Sequence, residues 1–191
     1  MSVQKAIFLI FVRQSGIYSK KTYPYRAETM ISHDFFIRHT KEFYDFYFHE
    51  MVYEKAMPNP AHIALAKLEA QGKLRNVVIT QNIDGLHQKA GSKEVLELHG
   101  SIHRNRCVDC HKFYTLEDIL SQKDGVPVCP VCGGIIKPEV VLYGESLDMD
   151  VMEKAVSYIE QADTMNCWRN QPCSYILRQD YSSIFMENIW F

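Results

Sequence analysis

The chain has 191 residues, 47% of them hydrophobic, with a formal net charge of -2 and a pI of about 6.4. That length fits one domain, or one domain with a small inserted module, and the apolar share is enough for a sizeable core. The balance of charge argues against a nucleic-acid partner, which calls for a basic stripe, and no apolar run reaches the ~18 residues of a membrane span.

Residues 1–13 are hydrophobic and carry no clear period, and residues 16–24 are polar and turn-rich. The apolar stretch from Ala6 to Val12 is too short for a secretion signal and has no cleavage-like sequence after it, so a cytoplasmic protein is expected. Ser32 reads as the N-cap of a short helix through Phe36 and Ile37. In residues 41–51, Phe43, Tyr44, Phe46 and Tyr47 form an aromatic stripe that suits a buried helix face. Pro60 after Asn59 starts a helix at its first position. Ala61, Leu65 and Leu68 recur on its inner face, and Gly72 ends it.

Asn76 to Thr80 is a β-branched run of the kind buried in parallel sheets. The polar string Gln81-Asn82-Ile83-Asp84-Gly85 follows at its carboxyl end, where open α/β sheets bind ligands. A second strand, Val95 to Leu98, runs into His99-Gly100, and a third, Val140 to Tyr143, ends in Gly144-Glu145. Asp148 caps a helix that extends to Gln161. There is no internal repeat. The alternation predicts an α/β fold with a Rossmann-like parallel sheet.

Four of the six cysteines stand as Cys107-x-x-Cys110 and Cys129-x-x-Cys132, with 18 residues between the pairs. In a cytoplasmic chain such pairs bind metal more often than they form disulfides. Each CxxC turn brings two thiolates to one side, and two turns complete a tetrahedron around zinc. Gly133 and Gly134 suit the tight turn of a zinc-ribbon module, expected over about residues 103–136. Four sulfurs leave no open position for water, so this zinc would be structural.

Three strings stand in order with the cysteine module between the last two: TQNIDGLHQKAGS at 80–92, LELHGS at 96–101 and KPEVVLYGE at 137–145. Together they resemble the sirtuin family, bacterial type, over residues 14–164. The resemblance implies an NAD-dependent protein-lysine deacetylase that yields nicotinamide and O-acetyl-ADP-ribose from acetylated protein or peptide substrates. It implies His99 as the general base toward a ribose hydroxyl, a task suited to a side chain titrating near neutrality. It implies Gln81, Asn82 and Asp84 at the nicotinamide and ribose end of NAD, and Val141, Leu142, Tyr143, Gly144 and Glu145 as a segment that pairs with substrate as an added strand. Asn82 and Asp84 also read as residues that cap their own loop, a role that can hold together with the first. His62, His87 and His103 read as structural or surface residues. Family members that prefer succinyl or malonyl lysine carry a tyrosine and an arginine three apart in the helix matching 41–51. Here Glu50 follows Tyr47 at that spacing and no arginine lies between Arg38 and Arg75, so a neutral acyl group is expected.

Residues 1–191 read as a single catalytic domain of this kind, except that 1–13 and 165–191 do not match the family's pattern. The glycine-rich diphosphate loop, the PDFR loop and the Gly-Thr-Ser turn are not found. Codons for Asn166 to Pro172, read one base later, permit IVGGTSL, and codons from Met1, read two bases later, permit VSTESNIPDFR. Both strings resemble the family's segments at those places. The expectation is a chain with frame-shifted or truncated ends, an incomplete sheet and impaired activity. The alternative is a non-catalytic zinc-binding interaction fragment.

Overall fold

The structure, a computed structural model, describes residues 23–74 and 77–162 in full, and the backbone of strands at 6–11, 164–169 and 171–175. In chain order the elements are β1 (Ala6–Phe11), α1 (Ala27–Met30), α2 (His33–Arg38), α3 (Thr40–Phe46), α4 (Pro60–Ala70), β2 (Val78–Thr80), α5 (Leu86–Ala90), β3 (Val95–Glu97), β4 (Gly100–Cys107), β5 (Phe113–Tyr114), α6 (Leu116–Leu120), β6 (Ile136–Val140), α7 (Met149–Glu160), β7 (Thr164–Arg169) and β8 (Gln171–Tyr175). They divide into two compact units. One joins Met1–Arg13, Ala56–His99 and Leu147–Phe191; the other joins Gln14–Lys55 and Gly100–Ser146. The two stretches read out of frame lie outside the described residues, apart from the backbone of β1, β7 and β8.

The first unit is α/β. Its sheet has the order β3-β2-β1-β7-β8, parallel throughout except for the β7–β8 pair. Val77, Ile79, Leu96 and Leu98 form one buried cluster with Met152, Ala155, Ile159 and Ala162. Helix α7 therefore shows the sheet the stripe 152, 155 and 159, the spacing of one helix face. Burial of a side chain the size of Met or Ile contributes about 1.5–3 kcal/mol. Asp148 caps this helix, its carboxylate accepting the N–H groups of Asp150 and Val151.

Helix α4 starts as expected. Asn59 Oδ1 accepts the N–H groups of Ala61 and His62 at 2.9 and 3.1 Å, with Pro60 at the first helical position. Its end is a Schellman turn: Gly72, at φ +65°, donates to Glu69, and Lys73 donates to Leu68. The buried face is not the expected one. It runs through His62, Leu65, Ala66 and Glu69, while Ala61 and Leu68 are half-buried. Apolar periodicity alone points to the other face, whereas the two polar residues are inward and engaged: His62 with the Asn59 cap, and Glu69 with the Lys93 N–H at 2.9 Å.

Helices α4 and α5 meet through two imidazoles, His62 and His87, with ring centroids 4.5 Å apart. Both are buried, and among the described residues His87 has no hydrogen-bond partner at either ring nitrogen. Burial, and then the neighbouring His62, push the His87 pKa down to about 4. His62 is lowered by burial as well, partly offset by Asp84.

The second unit contains a three-stranded antiparallel sheet in the order β5-β4-β6. The strand expected at Val140–Tyr143 instead runs from Ile136 to Val140 and belongs to this sheet, not to the parallel one. Its burial alternates, Ile136, Pro138 and Val140 facing inward, a half-buried pattern that the Lys, Pro and Glu between the apolar residues conceal. The aromatic stripe is core: Phe43, Tyr44, Phe46 and Tyr47 are all at most 2% exposed. The Tyr44 hydroxyl donates to the Ile136 carbonyl. Helix α3 stops at Phe46 and continues as a single π-helical turn from Tyr47 to Met51. Among the described residues no helix is long and apolar enough to cross a membrane.

The His87 shift has a sign. An unfolded histidine takes its proton near 6.5, while the native ring resists protonation until about 4. Between these values the unfolded chain binds more protons, so stability is intact above about pH 6.5 and falls as pH drops toward 4. Urea midpoints at pH 7.5 and pH 5 should differ, and His87→Leu should narrow that gap by up to ~2 kcal/mol. An unchanged gap would refute the role given to this ring.

Candidate functional site

Strands β2 and β3 are parallel neighbours in the register Val78↔Val95, Ile79↔Leu96 and Thr80↔Glu97. The Leu98 N–H extends the ladder by donating to the Thr80 carbonyl at 2.9 Å. Both strands end at the same sheet edge. The polar loop Gln81–Asp84 leaves one strand end there, and His99 leaves the next. The loop is braced from within: Thr80 Oγ1 accepts the Asn82 N–H, and Asp84 Oδ1 accepts the Leu86 N–H, each at 3.0 Å. Gln88 in α5 donates to Glu97 in β3 at 2.9 Å, tying the helix after the loop to the adjacent strand. Gln81, Asn82, Asp84 and His99 are all half-buried, open enough to reach a ligand. The capping role for Asp84 is present.

Gly100 follows His99 and opens β4. It sits at φ +74°, and a Cβ there would fall 1.8 Å from the Glu139 carbonyl oxygen. The residue after His99 must be glycine for β4 to pair with β6. His103 is exposed on β4, while His62 and His87 are buried.

The segment Val141–Glu145 is pinned on one side. Tyr143 donates its N–H to Ile31 at 3.0 Å, and its carbonyl accepts the His33 N–H at 2.9 Å. Glu145 closes the turn. One carboxylate oxygen accepts the Leu142 N–H at 2.9 Å and the Lys137 ammonium at 3.1 Å, and the other meets the His33 ring at 2.9 Å. Partial burial pushes the Glu145 carboxyl up. The Leu142 N–H, His33 and Lys137 outweigh that and hold it below its ordinary value. This side chain is engaged in shaping its own loop. Leu142 is buried, and Tyr143 and Gly144 are exposed. The two residues read for acyl choice are both inside: Tyr47 is fully buried, its hydroxyl without a partner among the described residues, and Glu50 is 8% exposed.

The four cysteines converge. Their sulfurs all lie within 4.8 Å of one another, with Cys107 to Cys132 at 3.4 Å and Cys110 to Cys129 at 3.6 Å. Zinc–sulfur bonds of about 2.3 Å arranged as a tetrahedron need sulfurs ~3.8 Å apart, so the cage has the right size. Cys107 and Cys110 sit at the tip of the β4–β5 hairpin. Cys129 and Cys132 sit in a second knuckle closed by Gly133 at φ +78°. A Cβ on Gly134 would meet Asp109 at 2.1 Å and the Cys107 sulfur at 3.0 Å. Backbone N–H groups point at the sulfurs, those of Cys110 and Asp109 at Cys107, and those of Val131 and Cys132 at Cys129. Four thiolates this close repel one another, and a divalent cation relieves that repulsion. An all-sulfur tetrahedron favours zinc.

A model of the Sir2 family matches residues 2–168, and the chain belongs to that family. The chain is 55% identical over 156 residues to an NAD-dependent protein deacetylase of Clostridium tetani, covering 81% of this chain and 63% of that protein. It is 43% identical over 155 residues to one of Thermotoga maritima, covering 79% and 60%. The chain thus spans less than two thirds of the length of these relatives. Among solved structures, Sir2 bound to an acetylated peptide superimposes with a TM-score of 0.74 at 37% identity, covering 85% of this chain and 69% of that one. A complex of Sir2 with a p53 peptide and NAD+ gives 0.73 at 37%, covering 86% and 69%.

Two outcomes follow from this geometry. Purification without chelators should yield about one zinc per chain by elemental analysis, and Cys129→Ser should lose it together with the fold of the module; a metal-free native protein would count against the cage. Glu145→Ala leaves three donors without their acceptor. It should cost about 1–3 kcal/mol and speed amide exchange at Leu142, with unchanged exchange speaking against the clasp.

Proposed function

We propose that the protein removes acetyl groups from protein lysine side chains with consumption of NAD, releasing nicotinamide and O-acetyl-ADP-ribose. The observation that carries this reading is the shared sheet edge. His99 and the loop Gln81–Asp84 leave the carboxyl ends of two parallel strands held in register, the place where α/β sheets bind nucleotides. His99 serves as the general base on a ribose hydroxyl. Gln81, Asn82 and Asp84 receive the nicotinamide and ribose end of NAD. Val141 to Glu145 receives the acetylated peptide as an added strand, while Glu145 fixes the turn. Residues 1–191 act as one catalytic domain, with the zinc-binding module, within about 103–136, as its structural clip. The relatives named as NAD-dependent protein deacetylases and the solved complexes with acetylated peptide and NAD+ support this reading.

The acyl group is neutral. Glu50 is buried beside Tyr47 and no arginine lies between residues 38 and 75, so a succinyl or malonyl carboxylate would meet no cationic partner from this helix. The absence of a basic stripe argues against nucleic-acid partners, and the composition suits the cytoplasm.

Incubation with NAD and an acetyl-lysine peptide should release nicotinamide only when both are present, and His99→Ala should lower the rate by about 10²–10⁴-fold. Undiminished turnover in that variant would sink the assignment of the base. Faster desuccinylation than deacetylation would overturn the acyl preference.

A further inference from the structure

The cysteine cage has a neighbour that the spacing of cysteines does not announce. Tyr114 lies on β5, opposite Asn105 of β4, with its chain neighbour Phe113 turned outward. Its ring is buried, and its hydroxyl lies 2.9 Å from the sulfur of Cys129. Cys129 is itself 2% exposed, so water has little access to this sulfur. The first knuckle and β5 are continuous in chain: Cys107 donates its N–H to the Lys112 carbonyl, two residues before Tyr114. The hydroxyl therefore reaches from the hairpin carrying the first cysteine pair to a sulfur of the second pair.

We propose that Tyr114 is a positioning residue for the metal: its hydroxyl donates to the Cys129 thiolate, fixing that ligand's direction and drawing charge from its sulfur. The inference rests on the zinc reading of the four cysteines. A metal-bound cysteine carries no proton, so in the loaded cage the phenol is the donor. Zinc with four thiolates leaves the cage with a net double negative charge. Backbone N–H groups share the load at Cys107 and Cys129, and the Tyr114 hydroxyl adds a donor from a different element. Partners of this kind act on ligand orientation and on how tightly metal is held, and their loss costs about 10–100-fold in affinity.

The test uses the full chain loaded with cobalt(II) or zinc. Tyr114→Phe keeps the ring and removes only the hydroxyl; Tyr114→Leu removes both. In Tyr114→Phe the tetrahedral cobalt spectrum should persist. The sulfur-to-cobalt charge-transfer band should move to lower energy, and zinc affinity, read by competition with a chromophoric chelator, should fall by about 10–100-fold. A Tyr114→Phe protein with an unmoved band and wild-type zinc affinity overturns the proposal, whatever Tyr114→Leu does, because only ring packing would then matter. A wild-type chain that takes up no cobalt overturns the zinc reading, and this inference with it.

Discussion

The parallel pairing of β2 with β3 decides where the chemistry of this chain can stand. The strands are three residues each, and their register is held by Val77, Ile79, Leu96 and Leu98 in one cluster against α7. A slip by one residue would exchange the faces of β3 and take Leu96 and Leu98 out of that cluster. The Leu98 N–H on the Thr80 carbonyl carries the pairing one residue past the strand. The polar loop and His99 therefore diverge from a fixed point. Gly100 then turns the chain where no other residue fits.

The second unit is organised by two polar clasps. In one, a single carboxylate, Glu145, gathers donors from three places and holds the turn between Leu142 and Glu145. In the other, four sulfurs draw two knuckles together across a short antiparallel sheet. The cysteine clasp is local in sequence, whereas the Glu145 clasp reaches back to His33, and both gather like charges or lone pairs into a small volume. Each needs its cation, Lys137 in the first case and a metal in the second.

Local chemistry was legible where it has one physical reading. Ser32, the Asn59-Pro60 pair and Asp148 start helices as their side chains require, and the CxxC pairs gave the cage outright. Gly100 and Tyr114 were not legible. One depends on a carbonyl 39 residues away, Glu139, and the other on a sulfur in a different knuckle, and neither leaves a periodic trace. The strand Ile136–Val140 was misplaced because Pro138 argues against a strand unless its N–H side needs no partner. Residues 1–13 gave no period. A central parallel strand reads as an unbroken apolar run, and AIFLIF at β1 is one. The inward face of α4 was misjudged because two of its four buried residues are polar.

The segmentation of the first unit bears on how the chain is made. Its sheet is sewn from three separate stretches, and β1 pairs with β7 in the register Ala6↔Thr164 to Phe11↔Arg169. On the ribosome, the β2–β3 pair and both cysteine knuckles emerge and can close while β7 is still inside the tunnel. Strand β1 can find β2 but waits for β7 before its other edge is covered. For that interval an apolar strand offers a row of unpaired amides and carbonyls to any neighbouring chain. Nascent chains are thus open to association through β1, and slower translation between β3 and β7 lengthens that exposure.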